Sequence, residues 1–316
     1  MTQTPKPPTE LRMGPAEWGL LLLLSILWGG TFFLGKIARA ELSAFTIVLF
    51  RVGIAAALLA VAAWFSGLAF PKDLKGWWPF LVMGLLNNVI PFSLIFWGQR
   101  EIGAGLAAVL NASTPLFGAI VAHYATEDEK LRSNRLVGVL IGIAGVAVLV
   151  GVPGGAMDVS RIMGMGAVLL ASFSYGVSGA WAKRFRGLAP LTTSACQLTC
   201  STAIMAPLVL VFDPPWAQSV PSLKAMLCVL AIAVLCTALA YVIFFTIISR
   251  AGASNVLLVT LLVPFSATGL GIAFLGEQLH ATDLAGAALV GFALLVIDGR
   301  PFAALRRLAS SPAPVD

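Results

Sequence analysis

Charge is what this sequence of 316 residues has least of: Asp, Glu, Lys and Arg make up 11% of it, and histidine occurs twice. Soluble domains carry about 25% charged residues, so a water-soluble fold is excluded before any pattern is read. Acidic residues are scarce in a second sense, because none falls in the middle of a long apolar run; Glu277 and Asp298 stand at run ends. Cation exporters and proton antiporters commonly use an intramembrane carboxylate as carrier, and its absence counts against both. The four cysteines, Cys196, Cys200, Cys228 and Cys236, show no C-x-x-C spacing and have few histidines to complete a metal site. They read as small buried hydrophobes, and no metal or cofactor is expected. The formal charge of +6 is scattered along the chain rather than gathered in a basic stripe, so no nucleic-acid partner is expected.

What the sequence has is apolar length. Hydrophobic residues make up 59% of it, in runs of the ~20 residues that a helix needs to cross a hydrocarbon core about 30 Å thick. Helices are predicted near 17–38, 43–66, 76–98, 103–123, 134–152, 161–183, 190–212, 223–248, 252–275 and 281–299. The 18 prolines and 31 glycines would weaken soluble helices but are tolerated in spanning ones, where neighbours re-satisfy freed backbone groups. The first run follows a basic, polar stretch and precedes Ala38-Arg39-Ala40, which resembles a cleavage site. Its apolar length exceeds that of a signal peptide, and it is read as a span.

Basic residues in loops set orientation. With the N-terminus inside, fourteen of the twenty Lys and Arg fall in cytoplasmic segments, from Lys6 and Arg12 to Arg306 and Arg307. Arg39, Arg100, Arg161 and Lys224 fall outside, and Lys36 and Arg51 lie within spans. Both termini are therefore predicted to be cytoplasmic, with an even number of helices.

The chain repeats itself. Ser25-x-x-Trp28-Gly29 with Lys36 recurs as Ser172-x-x-Tyr175-Gly176 with Lys183, at an offset of 147. Phe92 with Tyr241, Phe96 with Phe245, Gly103-Ala104 with Gly252-Ala253, and Pro115 with Pro264 align at 149. Glu129-x-Leu131 with Glu277-x-Leu279, and Gly138 with Gly286, align at 148. Each copy holds five predicted spans, and an odd number forces the second copy to enter the bilayer from the opposite side. Inverted repeats of this kind recur in secondary transporters, whose halves exchange roles between inward-open and outward-open states.

Trp28-Gly29-Gly30-Thr31-Phe32, Arg51 in the second span, Asn111-Ala112-Ser113-Thr114-Pro115 in the fourth and Gly276-Glu277-Gln278-Leu279 after the ninth resemble the EamA repeats of the drug/metabolite transporter superfamily. The first repeat reads Glu127-Asp128-Glu129-Lys130-Leu131 where the family has G-E-x-L. The resemblance implies ten transmembrane helices in two inverted five-helix repeats, N-in and C-in, in a bacterial inner membrane. It assigns residues 1–16 to an N-terminal tail, 17–152 and 161–299 to the repeats, and 300–316 to a C-terminal tail. It also implies export of amino acids or other metabolites, and the aromatic-rich spans look like the amino-acid exporters of the YddG type.

Substrates of inverted-repeat transporters bind near the midplane, where Gly or Pro interrupts corresponding spans. Pro115 and Pro264 form such a pair and free the carbonyls of Asn111 and Thr260, one turn earlier. Asn111 and Thr114 share a face and offer an amide and a hydroxyl suited to an ammonium or amide, or else they knit helices together. Asn87 and Pro91 share one face of the third span, Asn88 and Phe92 the next; one Asn should face inward, and periodicity does not choose between them. Their counterparts in the eighth span are Cys236, Thr237 and Tyr241. Trp28 and Tyr175 serve either a pocket or packing, and the glycines beside them favour packing. Arg51 is the one charge well inside a span, functional by default, with a substrate carboxylate as its expected partner; Lys36 and Lys183 lie at span ends and are expected to snorkel.

The substrate class expected is therefore a small zwitterion moving by uniport through the lipid bilayer, with a viologen-like cation as the alternative. A monomer is compatible with the sequence. An intramembrane enzyme would need a nucleophile and base or a metal cluster, but His123 and His280 lie near span ends and no G-x-S-x-G occurs. A pore would need charged rings or filter loops, and none is evident.

Overall fold

The computed structural model describes residues 13–125, 133–150, 158–185, 187–214, 216, 219–256, 258–278 and 280–298. The predicted terminal tails lie almost wholly outside these residues, as do Glu127–Leu131 and Leu279. Among the described residues the chain is helical with short connections. We number the helices α1 (Pro15–Ala38), α2 (Ala44–Phe65), α3 (Leu74–Gly98), α4 (Ala104–Ala125), α5 (Ser133–Val150), α6 (Val159–Phe185), α7 (Pro190–Phe212), α8 (Leu223–Ala251), α9 (Val259–Leu275) and α10 (Ala281–Asp298). A short turn of helix, Ala253–Val256, precedes α9.

Local chemistry sets many of these boundaries. Ser43, Asp73, Asp158 and Ser222 cap α2, α3, α6 and α8, each accepting a hydrogen bond from the first turn, which satisfies amides that the helix leaves unpaired. Pro15 and Pro190 open α1 and α7, positions where the missing N–H costs nothing. Gly252 and Gly276, with φ of 91° and 66°, end α8 and α9, a backbone region that favours glycine.

Among the described residues seven helices, α1–α4 and α6–α8, are long and apolar enough to cross a membrane. Ten crossings were expected. The remaining apolar stretches, Leu136–Leu149, Val259–Leu275 and Ala281–Ile297, are shorter; 17 residues of helix rise about 26 Å, just under a ~30 Å core. Outward faces carry exposed large apolar side chains such as Leu22, Ile26, Phe50 and Val61, a surface suited to lipid rather than water. The chain is a multi-pass membrane protein.

Packing follows the repeat. The first helix of each copy lies against the third and fourth helices of the other: α1 on α8 and α9, α6 on α3 and α4. The second helices, α2 and α7, pack together, as do the fifth, α5 and α10. Small residues allow these approaches. A Cβ on Gly29 of α1 would stand 2.7 Å from Ser266 Cβ and 2.8 Å from Ala267 N on α9. On Gly176, the equivalent residue of α6, it would stand 2.9 Å from Gly118 N on α4. Ser25 and Ser172 accompany them: Ser25 Oγ lies 3.1 Å from Ser266 Oγ, and Ser172 Oγ donates to Leu110 O at 3.4 Å.

One end of the bundle is tied across the repeats. Glu277, beyond α9, accepts hydrogen bonds from Ala104 N (2.6 Å) and Gly105 N (3.0 Å) at the start of α4. Glu41 accepts from the Ser222 amide (2.6 Å) and hydroxyl (2.7 Å), and Ser43 donates to Asp213. Lys36 was expected to snorkel; its Nζ instead donates to Gln99 O (2.5 Å) and Ile102 O (3.0 Å). There the last carbonyls of α3 and the loop after it lack helical partners and attract a cation.

Candidate functional site

α3 and α8 each contain one widened, π-helical turn, at Leu85–Val89 and Val234–Leu239. The two begin 149 residues apart, at equivalent places in the repeats. Single π-turns within α-helices are frequent at functional sites, and the extra residue re-aims the side chains around it. Asn88 and Thr237 each hold the fourth position of their turn, and each bonds to the second helix of the other repeat: Asn88 Nδ2 donates to Ser201 Oγ on α7 (3.0 Å), and Thr237 Oγ1 accepts from Arg51 Nε on α2 (3.0 Å).

Arg51 is the centre of the arrangement. It is 7% exposed, and its guanidinium carbon lies 3.6 Å from the centroid of Phe92 and 5.9 Å from that of Phe96. Tyr175, Tyr241 and Cys236 are within electrostatic range. Among the described residues no carboxylate pairs with it. Cation–π contact with a desolvated ring is worth about 2 kcal/mol, less than the several kcal/mol that burying an ion costs. An anion supplied from outside would therefore be held strongly, and the planar fork of Arg suits a carboxylate.

Around this cation the two repeats interleave. Asn87 Oδ1 accepts from Ser178 on α6 at 3.0 Å. Gln197 Nε2 on α7 approaches the Tyr241 hydroxyl at 3.4 Å. Trp28 joins through a chain of rings, 5.4 Å from Phe244, itself 5.2 Å from Phe245, which stacks on Tyr241 at 6.1 Å. A cleft of about 300 Å³ between α7 and α8 reaches this cluster, with Ser194, Tyr241, Phe245 and Thr246 in its wall.

Of the residues singled out in the sequence, Arg51, Asn87, Phe92, Tyr175 and Tyr241 thus converge. Asn88 is fully buried and turned to Ser201. Asn111 and Thr114 lie apart, where α4 breaks between Asn111 and Thr114 and crosses α6. The carbonyl of Asn111 is used within the protein: Thr114 Oγ1 donates to it at 2.8 Å and Ser172 Oγ lies 3.5 Å away. Its amide oxygen accepts nothing among the described residues. Pro264 sits inside α9 one turn beyond the half-buried Thr260, near the Ser25–Ser266 contact. Gln197, Ser178 and Ser201 were not foreseen. Gln197 carried a signal, since it is a polar residue in an apolar run at the place in its repeat that Arg51 holds in the other.

Known proteins agree with this architecture. Residues 17–151 and 162–298 each match the EamA-like transporter family. The chain is 21% identical over 275 residues to the uncharacterized transporter YoaV of Bacillus subtilis (strain 168), covering 85% of this chain and 92% of that protein. It is 25% identical over 284 residues to the uncharacterized transporter YwfM of the same organism, covering 89% and 93%. A solved structure titled "Crystal structure of protein" superposes with a TM-score of 0.64 over 94% of this chain and all of its own, at 18% identity, and so shares the fold. Two matched copies spanning most of the sequence leave one conclusion: the chain belongs to the EamA-like transporter family and serves transport across a membrane.

Proposed function

We propose that this chain exports amino acids or similar small zwitterions by alternating access, as a uniporter of ten spans with both termini in the cytoplasm, in the inner membrane of a bacterium. The observation that carries the substrate class is Arg51, a buried guanidinium bonded once, to Thr237, and stacked on Phe92 without a carboxylate partner among the described residues. A substrate carboxylate supplies the missing charge, and the surrounding rings of Phe92, Tyr175 and Tyr241 accommodate an apolar body.

Uniport is supported by the placement of acids: Glu17 lies in the first turn of α1 and Asp283 in that of α10, and among the described residues none occupies the middle of a helix. Alternating access is supported by the asymmetry of the bundle, in which ties through Glu277, Glu41 and Ser43 hold one end while the cleft between α7 and α8 starts from the other, at Pro190 and Ser249. Purified protein in proteoliposomes, assayed for uptake of each common amino acid with and without an imposed pH gradient, tests the reading. Saturable uptake indifferent to the gradient is expected. Transport of a viologen-like cation and of no amino acid would refute the substrate class, and strong acceleration by the gradient would refute uniport.

A further inference from the structure

Arg51 and Gln197 occupy the same position in their respective repeats. Arg51 lies eight residues beyond Ser43, which caps α2, and Gln197 eight beyond Ala189, which caps α7. The two helices pack together, both side chains are more than nine-tenths buried, and Gln197 Nε2 lies 3.4 Å from the hydroxyl of Tyr241, a residue within electrostatic range of Arg51. What differs is chemistry. One position holds a cation with donors to spare, the other an amide whose Oε1 is buried and accepts no hydrogen bond among the described residues. Buried acceptors are normally satisfied, and one that is not points to a partner absent from the protein itself.

Other buried polar atoms lack a hydrogen-bond partner too among the described residues: Asn88 Oδ1, Ser93 Oγ, Gln99 Oε1, Asn111 Oδ1 and Asp283 Oδ1. Asn88 lies at the same level but turns to Ser201, Gln99 turns to Phe32 O, Asn111 stands at the break of α4, and Asp283 caps α10 beside Arg161. Of the amides among them, Gln197 is the one that bonds to Tyr241. Ser194, one turn before it on the same face, lines the cleft whose wall also holds Tyr241, the residue to which Gln197 bonds.

We propose that Gln197 is the specificity residue for the cationic end of the substrate: Oε1 accepts a hydrogen bond from the ammonium of a zwitterion whose carboxylate lies on Arg51. This rests on the substrate class argued above and adds an orientation to it. A neutral amide is the suitable group. A glutamate at 197 would bury a fixed anion that opposes the substrate carboxylate and offsets the charge of Arg51, whereas the amide offers a lone pair to an ammonium without adding charge.

Discrimination between an amino acid and the same acid without its amino group tests the assignment. The probes are the best-transported of the common amino acids and its des-amino analogue, used as competitor of uptake into proteoliposomes. A hydrogen bond to a charged group is worth about tenfold or more in affinity, so wild type should prefer the amino acid by at least about that factor. Gln197→Met, close in shape but without the acceptor, should narrow the preference to about threefold by raising KM for the amino acid. Inhibition by the des-amino acid should stay unchanged. Gln197→Glu should abolish uptake while eluting as a folded monodisperse protein.

Full preference retained in Gln197→Met would overturn the assignment while the substrate class stood. Wild type transporting no amino acid would overturn both. Should Gln197→Met fail to fold, Gln197→Asn replaces it: it keeps the acceptor one methylene short and should weaken the preference only partly, and an undiminished preference there would also overturn the assignment.

Discussion

Arg51 and Thr237 join the two repeats at the centre of the bundle, through one hydrogen bond of 3.0 Å from guanidinium Nε to hydroxyl. Thr237 passes its own proton to Ile232 O at 2.8 Å, so it is satisfied without the arginine. Function and stability therefore separate at this contact.

Arg51→Met should lower transport while leaving the protein at least as stable. Losing the anchor for a carboxylate removes about 2–3 kcal/mol of binding, a factor of roughly 30 to 150 in KM. Replacing a buried ion by a hydrophobe is often neutral or stabilising. Arg51→Lys should recover little, because a point charge lacks the planar fork. Uptake kinetics and melting in detergent check both halves, and a Met variant that melts well below wild type would make Arg51 structural.

Gly29→Ala and Gly176→Ala should each destabilise the fold. Their Cβ atoms would press on backbone of α9 and α4 at 2.8 and 2.9 Å, and overpacking of this kind costs about 1–3 kcal/mol. Gly30→Ala and Gly179→Ala are the controls: a Cβ at Gly30 comes no nearer than 3.8 Å to Cys236 Sγ, and at Gly179 it meets nothing within 4 Å. Thermal melting of the four variants decides it, and equal losses in all four would show that the close crossings are not what the first pair of glycines supplies.

Glu277→Gln keeps the size of the side chain but replaces one of the two oxygens that hold the amides of Ala104 and Gly105. It also removes a negative charge from a helix N-terminus. A loss on the order of 1–2 kcal/mol is expected, since charge-assisted bonds exceed neutral ones by about that amount. Glu277→Ala should cost more. Unfolding midpoints that match wild type for both would refute the tie.

Acid should loosen the same end through Glu41. Hydrogen bonds from Ser222, first from its hydroxyl and then from its amide, hold this carboxyl below the ordinary glutamate value of 4.5. A depressed folded-state pKa means that the stabilisation is complete above the unfolded value and is lost as pH falls through the lower, folded one. Wild type should thus lose stability relative to Glu41→Gln only below about pH 4.5. Melting curves of the two proteins from neutral to acid pH give the answer, and parallel curves would remove Glu41 from the account.

The repeat was legible because the residues that mark it make equivalent crossings: Ser25 and Gly29 meet α9 as Ser172 and Gly176 meet α4. Arg51, Phe92 and Tyr241 stood out for the same reason that they converge, being a charge and rings in otherwise aliphatic runs. Gln197 stayed hidden because Arg and Gln do not score as alike, and because the offset between repeats is 146 at the caps of α2 and α7 against 147 before them and 149 after. The face of Asn87 and Asn88 could not be read from α-helical spacing, since both lie inside a turn that is not α-helical. Lys36 was misjudged because a span end in sequence is here a contact with the frayed end of another helix.

Each π-turn inserts one residue, and one residue is about 100° of helical phase. A single rod can thus present one seam below the turn and a different seam above it. In α3 the lower half lies on α7, where Gly84 approaches Gln197 O and Ser201, and the upper half lies on α6, where Gly98 meets Gly164 O. The handover from the second helix of the opposite repeat to its first takes place at the level of Asn88. That phase step lets one helix change partners midway, so the plane that holds Arg51 is also the plane where the two halves of the protein trade neighbours.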